Sequence, residues 1–305
     1  MLILFPRNPV APDKPDSAFE REWEAAQEIG LQTGLADLDV PDHPSLCKRT
    51  VRQTYKGETL VYRGWMLTVT QYVKLYEQLW DLGYRMVNSP QEYAYCHELP
   101  NWYPDFEGKT PKSIWFPDAP LDPKEYLTPG SGIMARIRVE VPNQLGPGPY
   151  IIKDYVKSRK HEWNEACFIK GPDDLLSVTA NFVERQGDDL AGGLVFREYQ
   201  AFRPVGTHPK SKIPIFNEAR YFVGRGPLLC VPYWGPAEGG SAITIPKGAG
   251  YEMAAFVKSN FFTVDVAELP DGTWTIVELG DGQVAGLPEL CDPEHFYGEL
   301  GKRFG

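Results

Sequence analysis

No apolar run in the chain approaches the ~20 residues that a membrane-spanning helix needs, so a helical span is not expected. Basic residues are scarce: 31 Lys and Arg stand against 41 Asp and Glu, a formal charge of −10. That balance argues against broad binding to nucleic acid or anionic membrane and leaves room only for a local basic cleft. The five cysteines (Cys47, Cys96, Cys167, Cys230, Cys291) are far apart, with no Cys-x-x-Cys. Structural zinc and a disulfide framework are therefore not expected, and the cysteine usage points to a reducing cytoplasm. The histidines (His43, His97, His161, His208, His295) are equally scattered, so a His-based metal centre lacks support. No Ser-His-Asp or Cys-His constellation is visible, nor any internal repeat or low-complexity tract. Met1–Pro6 is too short for a signal peptide and has no basic region before it.

What is present reads as a mixture of α and β structure. Met1–Phe5 predicts a buried strand, and the capping-box spacing of Ser17-Ala18-Phe19-Glu20 predicts a helix to about Gly30. Leu60–Met66 predicts a second strand. Tyr72, Leu75, Tyr76 and Leu79 recur at helical spacing within Thr68–Leu82, and Gly83 stops the helix. Tyr84–Val87 predicts a third strand, and Pro90 opens a short helix. This alternation implies a small parallel α/β domain. Residues about 100–132, rich in Pro, Asp and Gly, read as a connecting segment. The second half reads as more antiparallel, with strands over Gly132–Val141, Tyr150–Lys157, Gly193–Phe202 and Glu218–Val223. Helices are predicted from Pro172 to about Arg185 and over Gly250–Lys258. The expected fold class is α+β with an α/β N-terminal domain, divided as 1–125 and 126–305, the latter with subdomains of about 126–195 and 196–305.

The most informative segment is a predicted hairpin. Phe261–Glu268 and Trp274–Leu279 read as strands, and Pro270-Asp271-Gly272 is a strong turn signal. A two-residue loop at Asp271-Gly272 sets Pro270 opposite Thr273 and therefore Asp265 opposite Glu278. Carboxylates facing each other at about 5 Å repel by roughly 3 kcal/mol at an effective dielectric of 20. The hairpin tolerates that if a positive group sits between them or one carboxylate keeps its proton. A magnesium ion carrying phosphates is one such positive group.

These residues resemble the ATP-grasp superfamily, in particular its clade named for one arginine and two lysines. The resemblance covers about residues 132–290, with a weaker echo of the clade's N-terminal domain in Arg63-Gly64-Trp65-Met66. It implies an ATP-grasp fold, two α+β subdomains clasping ATP after a small Rossmann-like pre-ATP-grasp domain, and carboxylate–amine ligation through an acyl phosphate. ATP and Mg²⁺ are the implied cofactors. Small-molecule or peptide carboxylates and amines are the implied partners; a membrane is not expected, and the acidic composition disfavours nucleic acid.

Residue by residue, Lys153 and Lys157 in Lys-Asp-Tyr-Val-Lys-Ser fall where the clade's two lysines lie, and a lysine there neutralises α- or β-phosphate charge. Phe196-Arg197-Glu198-Tyr199 resembles the hinge strand whose backbone reads the adenine edge. Glu218-Ala219-Arg220 resembles the Glu-x-Arg strand, with Arg220 on the transferring γ-phosphate. Lys258 is allowed to approach phosphate. Asp265 and Glu278 match the metal-binding carboxylates. The usual third ligand, Asn or Asp two residues beyond the glutamate, is here Gly280, with Asp281 next. Either a bulge brings Asp281 inward, or water or Glu268 replaces the ligand, or metal binding is weaker. Arg63 at a strand end either meets a substrate carboxylate or is a buried structural arginine.

The reading that follows is an ADP-forming, Mg²⁺-dependent ATP-grasp ligase. A nucleotidyltransferase such as a nucleic-acid ligase, forming lysyl-AMP at Lys153, is a rival, but its Lys-x-Asp-Gly signature is absent because Asp154 follows directly. A nucleotide-binding protein without turnover is a third possibility, kept open by Gly280.

Overall fold

A computed structural model of the protein describes residues 1–38, 45–46, 57–117, 128, 132–209, 214–238, 243–245 and 248–305. They form two compact units, one joining Met1–Cys96 to Phe202–Gly305 and the other comprising His97–Ala201. Cys47, His43 and the expected division at 125/126 lie outside the described residues, and that division stands as a proposal. No helix among the described residues is long and apolar enough to cross a membrane.

The first unit begins with β1 (Leu2–Pro6), α1 (Glu20–Glu28), β2 (Gln32–Asp37), β3 (Ser45–Leu46), β4 (Thr59–Tyr62), α2 (Val69–Asp81), β5 (Arg85–Met86) and α3 (Pro90–His97). Its sheet has the order β3-β2-β1-β4-β5, parallel except for β3. Every residue of β1 is buried, as a central parallel strand covered on both faces requires. The α2 helix starts in a full capping box between Thr68 and Gln71 and buries Tyr72, Leu75 and Leu79 on one stripe. The capping side chain before α1 is Asp16 rather than Ser17: it accepts from Ala18 N at 2.9 Å and starts a short 3-10 turn. The strand β2 is not predicted from the sequence, because only Leu35 and Ala36 give it apolar character.

The second unit contains α4 (Leu99–Trp102), β6 (Ser113–Phe116), α5 (Gly132–Leu145), β7 (Tyr150–Asp154), α6 (Trp163–Ala166), β8 (Phe168–Ile169), α7 (Pro172–Gln186) and β9 (Leu194–Glu198). Its antiparallel sheet runs β6-β9-β7-β8. Two expectations fail here. Gly132–Val141 is helix, not strand. Ile137-Arg138-Val139-Glu140-Val141 alternates like a strand, yet the buried set is Ile133, Met134, Ile137 and Val141, a helical stripe, and Val139 is exposed. The segment from residue 100 is not a plain connector either: Trp102 and Phe106 are buried and Ser113–Phe116 pairs with β9.

The chain returns to the first unit with β10 (Pro204–Thr207), β11 (Pro214–Phe216), β12 (Glu218–Gly224), β13 (Pro227–Pro232), α8 (Ala249–Ala254), β14 (Phe261–Glu268), β15 (Trp274–Asp281) and α9 (Pro293–Phe304). Here the antiparallel sheet runs β13-β12-β14-β15. In α9, Phe296, Tyr297, Leu300 and Phe304 are buried, and the rings of Phe296 and Phe304 lie 5.0 and 5.9 Å from those of Phe222 and Phe261 respectively. That aromatic packing anchors one end of the sheet. The polar residues of interest lie further along it.

Candidate active site

Asp265 and Glu278 are direct partners across β14 and β15. The route to that pairing differs from the expected one. Leu269 N donates to the Thr273 carbonyl (2.8 Å) and Gly272 N to the Leu269 carbonyl (2.9 Å), so the connection has three residues rather than two. Gly272 sits at φ +85°, the left-handed position such a loop reserves for glycine. The longer loop shifts the register, pairing Glu268 with Trp274 and Val266 with Ile276. A bulge that leaves Val277 as the extra residue then restores Asp265 to Glu278.

The positive group beside the carboxylates is Arg220, which pairs directly with Asp265 from β12, on the side of β14 away from Glu278. Its Nε donates to Asp265 Oδ1 (2.8 Å) and its Nη2 to Oδ2 (2.7 Å), a two-pronged contact. Its Nη1 donates to the Gly286 carbonyl at 2.8 Å, and the guanidinium lies 5.0 Å from the centre of the Tyr233 ring. Burial opposes the arginine's charge, but Asp265 first, then Tyr233 and Glu278, raise its pKa above the ordinary value. At an effective dielectric of 20, contact at this range is worth roughly 5 kcal/mol, against roughly 3 for the carboxylate repulsion. The attraction to the arginine therefore outweighs the repulsion between the two acids.

Among the described residues no group of three His, Cys, Asp or Glu side chains is arranged to hold a metal ion. Gly280 explains part of this. A Cβ there would lie 2.8 Å from Thr263 Oγ1 on the paired strand, so a side chain at 280 requires Thr263 to move. Asp281 does not supply the missing ligand. It lies on the opposite face of β15 from Glu278 and is fully buried. Asn88 Nδ2 donates to its Oδ2 (2.6 Å), while Gln283 N (2.9 Å) and Nε2 (3.1 Å) donate to its Oδ1. Burial raises its pKa to about 6. Glu268 is also engaged: Arg203 Nε and Asn217 Nδ2 both donate to its Oε2. What remains is a pair of acids beside an arginine. That donor set fits Mg²⁺, which takes one or two carboxylates and completes its shell with water and substrate phosphate.

In the second unit Lys153 is buried on β7, paired with Val195 of β9, on the sheet face opposite Tyr150 and Ile152. Lys157 lies beyond the strand, not on it. Asp154 ends β7 by accepting from Val156 N (2.7 Å) and Lys157 N (2.5 Å), and it leaves the Lys157 side chain exposed. The Asp154 carboxylate also takes Gln186 Nε2 and Ala191 N, so this loop is held from both sides. Phe196 turns into the core against Phe116 and offers no ring to a ligand. Arg197 is buried and donates to Thr110 Oγ1. Glu198 is exposed, and the Tyr199 ring packs edge-on against Phe168 and Trp163.

Arg63 is not a substrate arginine. It is 1% exposed and is spent on Glu22 and on the carbonyls of Gly282 and Ala285. Sequence reasoning missed Glu22. The clue was a glutamate within the apolar stripe Phe19, Ala25, Ala26 of α1. Asn88, Thr263 and Gly286 left no sequence signal, because their roles come from cross-chain contact. Lys258 is exposed, its ammonium 5.6 Å from the centre of the Tyr95 ring.

Residues 144–300, just over half of the chain, match the model of an ATP-grasp domain, family 3 of the clade named for one arginine and two lysines. No curated protein matches the sequence. Among solved structures, D-cycloserine synthetase DcsG aligns over the whole of both chains with a TM-score of 0.58 at 12% identity. D-alanyl-alanine synthetase A from Vibrio cholerae gives 0.57 at 10% identity, covering 99% of this chain and 93% of that one. The ATP-grasp ligase PsnB, complexed with minimal precursor, Mg and ADP, gives 0.52 at 13% identity, covering 99% and 98%. At such identities the structural likeness is one of fold. The matched domain reaches from the end of α5 through Asp265 and Glu278 into α9, and by that match the chain belongs to the ATP-grasp family, in the third family of its one-arginine, two-lysine clade.

Proposed function

We propose that the protein is an ATP- and Mg²⁺-dependent ligase joining a carboxylate to an amine through an acyl phosphate, with release of ADP. The observation that carries this reading is the placement of Asp265 and Glu278 opposite each other with Arg220 clamped on Asp265. The structural neighbours include two synthetases and a ligase complexed with its precursor, Mg and ADP, which supports amino acids or peptides as the substrate class.

Asp265 and Glu278 would hold Mg²⁺, which when bound neutralises and aligns phosphate oxygens. Arg220 answers the charge that builds on the γ-phosphoryl group as it transfers to the substrate carboxylate, and it is already oriented by three fixed hydrogen bonds. Lys153 and Lys157 neutralise the remaining phosphates, and the backbone of Phe196–Tyr199 reads the adenine edge. Catalysis then comes from positioning and charge, without a protein nucleophile.

The test is incubation with MgATP and a panel of amino acids, peptides and amines, following ADP, AMP and the intact mass of the protein. Acceptor-dependent ADP release is expected. Release of AMP with one AMP added to the protein would refute the reading, as would tight ATP binding with no product from any acceptor.

A further inference from the structure

We propose that Arg63 is a positioning residue for Arg220, acting through the backbone of loop 282–286; this rests on the phosphate role given to Arg220 above. Arg63 follows β4 directly. Its Nε and Nη2 both donate to Glu22 Oε2, at 3.1 and 2.7 Å, and Tyr297 Oη donates to the same oxygen at 2.6 Å. Elements α1, β4 and α9 thus meet on one carboxylate. The third arm of the fork, Nη1, reaches the carbonyls of Gly282 (2.6 Å) and Ala285 (2.8 Å), and the Phe296 ring centre lies 5.3 Å from the guanidinium.

The loop that Arg63 grips is the one that Arg220 also grips. Successive carbonyls are divided between the two arginines: Ala285 accepts from Arg63 and Gly286 from Arg220. Gly64 N adds a further tie to the Gln283 carbonyl at 3.3 Å. A guanidinium is planar, so fixing Nη1 on a carbonyl sets the plane in which Nε and Nη2 meet Asp265. A displaced Gly286 carbonyl tilts that plane and loosens the two-pronged contact. Lysine cannot replace Arg63, because one ammonium cannot serve a carboxylate and two carbonyls spread around a fork.

The test is calorimetric titration of the full chain with a non-hydrolysable ATP analogue and Mg²⁺. The variants are Arg63→Lys, Arg220→Lys, the double variant, and Val178→Ala as a destabilised control from the α7 core of the second unit, which contains no residue of loop 282–286. Every titration runs well below the melting temperature of the variant. Arg63→Lys is expected to lose about tenfold in affinity, as partners that orient a ligand-binding group do. The double variant is expected to bind no more weakly than Arg220→Lys alone, because Arg63 acts only through Arg220. Val178→Ala is expected to keep wild-type affinity. Wild-type affinity in Arg63→Lys, or losses that multiply in the double variant, would overturn the inference. If Arg63→Lys does not fold, Tyr297→Phe, which removes one bond to Glu22, is expected to weaken binding about threefold by loosening the same orienting shell, and unchanged affinity there overturns it equally. A wild-type protein that does not bind the analogue instead overturns the nucleotide reading itself.

Discussion

The two faces of the β14–β15 hairpin carry acids in opposite circumstances. On one face Asp265 meets a guanidinium through two hydrogen bonds and faces Glu278 across the strands. On the other, Asp281 is buried among neutral donors, Asn88 and Gln283, and its pKa climbs to about 6. Both acids are satisfied in hydrogen bonds. They differ in whether a full positive charge accompanies the donors. On β15 three residues separate Glu278, on the face of Asp265 and Arg220, from Asp281, which ties the sheet to Asn88.

The strongest way to break this comparison is Glu278→Gln. It should lower turnover of MgATP by at least about a hundredfold, since it removes a metal-type carboxylate, while thermal melts stay close to wild type. Wild-type rates would show that this face does not act on the nucleotide. Asp265→Asn should also abolish turnover, but it should cost roughly 3 kcal/mol in denaturant unfolding as well, because Arg220 then loses its partner. Equal stability of the two variants would contradict the unequal roles given to the two acids.

On the opposite face the sign reverses. Because its pKa in the folded state is raised above the ordinary 3.8, Asp281 holds a proton that the unfolded chain has released. Its contribution to stability is therefore full below about pH 4 and lost as pH rises through about 6, a change of roughly 2–3 kcal/mol. Carboxyl NMR should show Asp281 titrating near 6, and a midpoint at the ordinary carboxylate value would contradict its isolation from cations. The smallest expected effect is at Gly280. Gly280→Asn should cost about 1–2 kcal/mol by crowding Thr263. Adding Thr263→Ala should recover part of that loss and strengthen Mg²⁺ binding in the presence of nucleotide, by supplying a third ligand. If calorimetry shows no gain in the double variant, position 280 does not face the metal.

Much of this was legible in the residues. Apolar period and punctuation placed α2, α7, β1 and both strands of the hairpin. The Asp265–Glu278 pairing came out of two errors that cancel, a loop one residue longer and a bulge of one residue at Val277. Alternation misled at Gly132–Val141, where Val139 turned out to be solvent-facing on a helix. Arg63 shows a different limit. An arginine beside a glycine at a strand end looks the same whether it faces substrate or core, and only the partners Glu22, Gly282 and Ala285 distinguish the cases.

By itself the sequence determined that these two segments form one local hairpin, because turn chemistry and period-two alternation act over a few residues; the register that sets the two acids opposite each other rests on a longer loop and a bulge. Only the tertiary structure decided which charge accompanies each acid. Arg220 comes from 45 residues away and Asn88 from 193, and contacts closed over such spans leave no periodic trace in the chain.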